Sequence, residues 1–249
     1  MQTDDKVGFG GFILRGGIGK RVKVRALGPS VKIGNLSVAG ALQDPVLELH
    51  DSNGATITTN DNWKDAPNAA EILASGLAPP DDRESAILAT LAPSAYTAII
   101  RGANRTTGIG LLEIYDLQPT TVGELANLAV RGDVRTDDNV LINGLILRGA
   151  TPKRVIFLAL GPTLRSKGVS GELQDPTLEL HDANGALLAS NDNWRDAPNA
   201  AEIQSTGLAP PDDRESAILM TLTPSNYTSI VRGVNRTTGI GLAAAFKLD

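Results

Sequence analysis

The 249-residue chain has no cysteine. That excludes a disulfide framework, a thiolate zinc site and a cysteine nucleophile. It has two histidines, His50 and His181, so His-rich metal sites and most His-dependent catalytic schemes have little to work with. Aromatic residues make up 4% of the chain, too few for the walled aromatic cleft of a typical sugar-cleaving site. The longest apolar runs, such as Ala243 to Phe246, fall far short of the ~18 residues a membrane-spanning helix needs. The 23 Lys and Arg are scattered singly among 28 Asp and Glu, for a net charge of −5. No basic stripe suits nucleic acid. The opening residues M-Q-T-D-D-K carry neither a basic n-region nor an apolar h-region, so no signal peptide is read here. A secreted protein is then expected in processed or recombinant form.

At 41% hydrophobic and 20% charged residues, the composition is globular rather than disordered. Its organising feature is an internal repeat. L-Q-D-P-V-L-E-L-H-D-S-N-G from Leu42 returns as L-Q-D-P-T-L-E-L-H-D-A-N-G from Leu173. From Leu42 to Gln118 against Leu173 to Asp249, about 55 of 77 positions are identical without a gap. Upstream of this stretch copy 1 carries two extra residues, which a surface loop absorbs cheaply. The expected organisation is repeat 1 at 1–118, a linker at 119–125 and repeat 2 at 126–249. Copy 2 is preceded by the alternating segment L-A-N-L-A-V-R-G, Leu125 to Gly132, which reads as a strand with no counterpart in copy 1. Repeat 1 is therefore expected to lack its first strand: either the chain is cut from a longer array, or the open edge is filled by something else, such as another chain.

Each copy is a series of short Val-, Ile-, Leu- and Thr-rich segments, punctuated every eight to twelve residues by Gly, Pro, Asn and Asp. This argues for an all-β chain of two tandem antiparallel β-sandwich domains, each with one short helix. In copy 2 strands are expected near 139–148, 153–160, 176–182, 186–190, 216–222, 226–233 and 239–248. In copy 1 they are expected near 6–15, 20–27, 45–51, 55–59, 85–91, 95–102 and 108–117. Asn53-Gly54 and Asn184-Gly185 signal type I′ hairpin turns, which need positive φ at both central residues. The segments 65–76 and 196–207, with an Asp cap, an early Pro and a closing Gly, suggest a helix of two or three turns. G-G-I-G-K-R from Gly16 lacks the spacing of a phosphate-binding loop and reads as a hairpin turn.

The densest polar constellation is T-N-D-N-W-K-D from Thr59 with P-P-D-D-R-E-S from Pro79, repeated from Ser190 and Pro210. Clustered carboxylates and amides on loops suit Ca²⁺, a hard cation with flexible coordination. The alternative is that they cap turns and pair with Lys64, Arg83, Arg195 and Arg214. An acid/base carboxylate pair is the enzymatic reading, disfavoured because each small repeat would have to be a complete enzyme. His50 and His181 end a strand beside Asp, as surface residues commonly do. Trp63 and Trp194 each stand in an acidic loop and are read either as platforms for a polysaccharide or as plugs beneath the helix.

The runs D-P-T-L-E-L-H-D-A-N-G-A-L-L-A-S-N-D-N-W, D-D-R-E-S-A-I-L-M-T-L-T-P-S-N-Y-T-S-I-V-R-G and T-T-G-I-G-L resemble the bacterial pre-peptidase C-terminal (PPC) type of β-sandwich. The likeness covers about 77 residues of each copy. Glu84-Ser85-Ala86-Ile87 and Glu215-Ser216-Ala217-Ile218 stand where that family has D-S-x-I, and Tyr96 and Tyr227 match its G-x-Y strand. The chain also resembles tandem modules of large secreted or surface proteins of environmental bacteria. The resemblance implies a jelly-roll-like sandwich, an extracellular or cell-surface location, no catalysis, no membrane insertion and, in some members, Ca²⁺. By position the ion would fall to Asn60, Asp61, Asp65, Asp82 and Glu84, and to Asn191, Asp192, Asp196, Asp213 and Glu215. The function expected is a structural spacer or adhesion module. A carbohydrate-binding module, or an assembly subunit completed by other copies of the same module, are the alternatives.

Overall fold

The computed structural model describes residues 7–17, 19–33, 36–118 and 123–248, and the chain divides into two compact units, Met1–Leu125 and Ala126–Asp249. The expected linker residues Pro119 to Val122 lie outside the described residues.

The first unit contains β1 (Gly8–Arg15), β2 (Lys20–Leu27), the two-residue strands β3 (Lys32–Ile33) and β4 (Leu36–Ser37), β5 (Pro45–His50), β6 (Thr56–Asn60), β7 (Ser85–Leu91), β8 (Ala95–Gly102) and β9 (Leu111–Asp116). One layer runs β1-β8-β5-β6 and the other β7-β2-β9, all antiparallel. The extra residues of copy 1 go into the β3–β4 hairpin. At the matching place unit 2 has a 3-10 turn, Pro162–Lys167.

The second unit contains β10 (Glu124–Val134) from its third residue on, β11 (Leu141–Ile146), β12 (Lys153–Leu160), β13 (Pro176–His181), β14 (Leu187–Asn191), β15 (Ser216–Leu222), β16 (Asn226–Gly233) and β17 (Gly239–Lys247). Its layers run β15-β12-β17-β10 and β11-β16-β13-β14. Counted one to eight, the strands pair first with eighth, second with seventh, third with sixth and fourth with fifth. That is a long hairpin rolled onto itself, the jelly-roll connectivity. Among the described residues unit 1 repeats it without a counterpart of β10. Among the described residues nothing pairs with β9 on the side where β10 covers β17.

Alternation writes the layers. β5 and β13 both read buried and half-buried in turn, with Leu47, Leu49, Leu178 and Leu180 fully inward. β12 is buried on both faces: Val155, Phe157 and Ala159 face the sandwich core, while Ile156 and Leu158 face a second cluster containing Trp194 and Ile203. In unit 1, Val22, Val24 and Ala26 face the core, but Lys23 and Arg25 replace the two outer apolar residues.

Three local expectations are corrected. The helices are α1 (Ala69–Ala74) and α2 (Ala200–Ser205), with Asn68 and Asn199 rather than an Asp at the N-cap position and no side-chain cap hydrogen bond from either. Asp65 and Asp196 instead end one-turn 3-10 segments, and the Asn68 amide donates to Leu88 O at 3.0 Å across to β7. The N-G turns are not type I′, since only Gly54 and Gly185 have positive φ, +81° each. The Asp51 carboxylate accepts from Asn53 N and Ala55 N, each at 2.9 Å, and the β5–β6 register shifts at Leu49/His50. A glycine bulge after an Asx turn thus closes the hairpin. Finally, β1 and β2 lie in opposite layers, so they do not form the hairpin expected around Gly16.

Candidate functional site

The two acidic loops of each copy meet at the start of β7 or β15, and the backbone fixes their approach. Trp63 N donates to Glu84 O and Trp194 N to Glu215 O, both at 2.9 Å. Asn60 closes the same junction: its carbonyl accepts from Ala86 N at 2.9 Å and its amide donates to Asn62 O at 3.0 Å. Asn191 repeats both bonds. With both ends of the amide occupied, these residues act as clamps.

Glu84 and Glu215 are fully buried. Glu84 accepts from Gly28 N and Ser30 N at 2.9 Å, from the Ser30 hydroxyl at 2.6 Å and from Asp81 N at 3.2 Å. Glu215 accepts from Gly161 N and Thr163 N at 2.9 Å and from the Thr163 hydroxyl at 2.6 Å. A buried carboxylate is tolerated because donors surround it. The glycine of A-L-G-P is required here, since a Cβ on Gly28 would fall 1.9 Å from Leu42 O. The carboxylate therefore latches the loop after β2.

The remaining acids separate. Asp82 pairs with Lys64 at 2.7 Å, and Asp213 pairs with Arg195. The guanidiniums of Arg83 and Arg214 bind Asp81 and Asp212 at 2.9 Å and hold those carboxyls below the usual range. Burial, with Asp44 and then Asp65 nearby, pushes Asp61 up. Burial and Asp192 push Asp175 up, against the opposing pull of Arg214. Asp44 and Asp175 escaped the sequence reading, although both precede the Pro that opens a strand in the repeated Q-D-P. Each has a buried Oδ1 without a hydrogen-bond partner.

The expected calcium set does not fit the ion. Asn60, Asn191, Glu84 and Glu215 are spent on backbone donors and acceptors, and Asp82 and Asp213 are held by cations. Only Asp61 with Asp65, and Asp192 with Asp196, remain. Among the described residues no group of three or more His, Asp or Glu is placed to hold a metal. In unit 2 Asp192 and Asp196 line a shallow groove with Thr177, Glu179, Ser190 and Asn191.

The tryptophans correct the platform reading. Trp63 and Trp194 are 6% and 2% exposed and pack against Ile72 and Ile203 of the helices. Each ring also carries a cation over it, Lys64 Nζ at 5.6 Å from one centroid and Arg195 Cζ at 4.3 Å from the other. No open face is left for a sugar. His50 is tied down as well, its Nε2 lying 3.0 Å from Glu48 Oε2 and its Nδ1 3.1 Å from Gly54 O, and His181 matches it.

No protein-family model matches the chain, and no curated protein matches it. Among solved structures the chain is similar to one in the atomic structure of Sulfolobus Turreted Icosahedral Virus, at 10% identity over 95% of this chain and 85% of that one, with a TM-score of 0.26. So slight a likeness carries no argument.

Proposed function

We propose that the chain is a pair of non-catalytic β-sandwich modules, related to the PPC type, that serves as a structural spacer or adhesion segment of an extracellular or cell-surface protein. One observation carries the reading: most of the distinctive polar residues that both copies share are engaged in holding the fold. Glu84 and Glu215 latch loops, Asn60 and Asn191 clamp junctions, and His50 and His181 brace hairpins. Duplication has thus preserved a scaffold, and catalysis would require some of these groups to converge on a substrate. Calcium is not part of this reading, because among the described residues no three carboxylates are placed to hold it.

Two measurements test it. Purified chain is incubated with ester, phosphomonoester, glycoside and peptide substrates, and turnover is expected at the buffer rate. Turnover that disappears in Asp61→Asn with Asp192→Asn overturns the non-catalytic assignment. Antibody against the chain is expected to label intact cells of the source organism. Labelling that appears only after permeabilisation overturns the surface assignment.

A further inference from the structure

We infer that the chain cleaves itself at Asp44–Pro45 and Asp175–Pro176, the side-chain carboxyl of each Asp attacking the carbonyl carbon of its own peptide bond. The inference is independent of the role proposed above, since each bond breaks once and no outside substrate turns over. These are the only two Asp–Pro bonds in the chain, and each opens the strand, β5 or β13, that carries the fully inward leucines of its sandwich. Each Asp has a buried Oδ1 with no hydrogen-bond partner. An orphaned buried polar atom costs stability, so its presence at the same place in both copies calls for a use. The carbonyl that would be attacked is already held by a backbone donor: Ala103 N donates to Asp44 O at 2.8 Å and Val234 N to Asp175 O at 2.9 Å. Both donors begin one-turn 3-10 segments, Ala103–Arg105 and Val234–Arg236. An N–H so placed stabilises the oxyanion that forms when the carbonyl is attacked. On the far side of the bond the buried Ser85 and Ser216 hydroxyls donate to Pro45 O and Pro176 O. The peptide bond is thus fixed at both ends.

Proline narrows the chemistry. After any other residue the following backbone nitrogen can attack the Asp side chain, but Pro has no N–H to lose. Attack runs instead from the carboxyl oxygen to the Asp carbonyl carbon, forming a C–O bond and a cyclic anhydride of the succinic type. The C–N bond to proline breaks, its electron pair stays on the nitrogen, and the proton of the carboxyl moves there. Water, the only co-reactant, then opens the anhydride and leaves a C-terminal Asp and an N-terminal Pro. The protonated carboxyl is the starting form, so cleavage speeds up as pH falls. Burial and then Asp192 favour that form at Asp175, against Arg214 and with a lesser push from Asp212. The charged groups around Asp44 are Asp61 and Arg83. After the break β5 still has β6 and β8 as partners, and β13 has β14 and β16, so each sandwich is nicked rather than dismantled.

The test holds the purified full chain for days at about pH 5 and about pH 8, folded and in urea, and separates the products under denaturing conditions. Pieces 1–44, 45–175 and 176–249 are expected, with new N-termini at Pro45 and Pro176, at a rate independent of chain concentration and greater at the lower pH. Cleavage is expected to be at least ~10-fold faster in the folded chain than in urea, a small part of what orientation can supply. Asp44→Glu, whose longer side chain closes a less favoured ring, is expected to stop the first cut and leave the second, and Asp175→Glu the reverse. Ala103→Pro removes the donor to Asp44 O at a place that accepts proline, the first residue of its turn after an extended Gly102 with φ −86° and ψ 133°. It is expected to slow the first cut ~10-fold or more, with the second cut in the same molecule as the standard, and Val234→Pro exchanges the two. An intact folded chain, or cleavage no faster than in urea, overturns the inference. Cuts that survive the Asp→Glu changes, or whose rate scales with chain concentration, overturn it in favour of a protease. An unchanged first cut in folded Ala103→Pro overturns the part given to the backbone donor.

Discussion

At the scale of single residues, the most informative comparison is between positions that the duplication made equivalent and later substitution made different. Lys23 is fully buried on the outer face of β2, where unit 2 has Ile156. Its ammonium donates to the Ser75 hydroxyl at 2.9 Å and to Ile72 O at 3.3 Å. Burial, with Arg25 beside it, lowers its pKa from 10.5 to about 8 against the opposing pull of Glu113. The folded chain thus binds this proton more weakly than the unfolded chain. The cost is complete below about pH 8 and fades as pH rises toward the unfolded value, so this group makes stability increase with pH across that window. Lys23→Ile is expected to remove that slope and to stabilise unit 1 at neutral pH by about 1–3 kcal/mol, the usual gain when a buried charge yields to a packed apolar side chain. The Ser75 hydroxyl keeps its own bond to Ile72 O at 2.6 Å, so no polar group is orphaned. Urea unfolding of both proteins at several pH values decides the matter. Equal stability at pH 7 with an unchanged pH slope would mean the ammonium reaches water.

At the scale of elements, the loops after β2 and β12 are built around a carboxylate from a distant segment. Glu84→Gln keeps the shape but sets an amide NH₂ against donors that the carboxylate had accepted. A cost of about 1–3 kcal/mol is expected, with Glu84→Ala costing more because Gly28 N and Ser30 N would lose their acceptor. Glu215→Gln should repeat the loss in unit 2. A loss under about 0.5 kcal/mol in both would show the loop to be held by packing alone. This latch was visible in the sequence as a repeated Glu, yet its role was not. P-P-D-D-R-E-S looks the same whether its Glu meets a cation or a backbone loop 54 residues away. The strands, by contrast, were legible, since alternation and Gly, Asn and Pro punctuation are local signals. Turn type was less so: Asn53-Gly54 marks the hairpin, but the Asp51 carboxylate drew the turn into a bulge. Trp63 shows the limit most plainly. An indole in an acidic loop reads as platform or plug alike, and only the placed helix, with Ile72 against the ring, decides for the plug.

At the scale of the whole molecule, the unpaired edge of β9 among the described residues and the charged outer face should make the two near-copies unequal in stability. Each unit has its own core, and about 120 residues suffice to fold without staples. Unit 1 leaves Ile109 and Leu111 exposed and carries Lys23 and Arg25 where unit 2 has Ile156 and Leu158. Both differences cost apolar burial at ~25 cal/mol per Å². Calorimetry is therefore expected to resolve two transitions, the lower belonging to unit 1. The assignment can be made with matched core truncations. Leu49 and Leu180 occupy equivalent positions, and both are fully buried. Each Leu→Ala change should cost about 2–5 kcal/mol, on the order of 10 °C for a domain of this size. Leu49→Ala should move the lower transition alone and Leu180→Ala the upper alone. If Leu180→Ala moves the lower one, the order is reversed and the exposed edge of β9 is not a weakness. If either variant shifts both transitions together, the units unfold as one, and the open edge is supported by the rest of the chain.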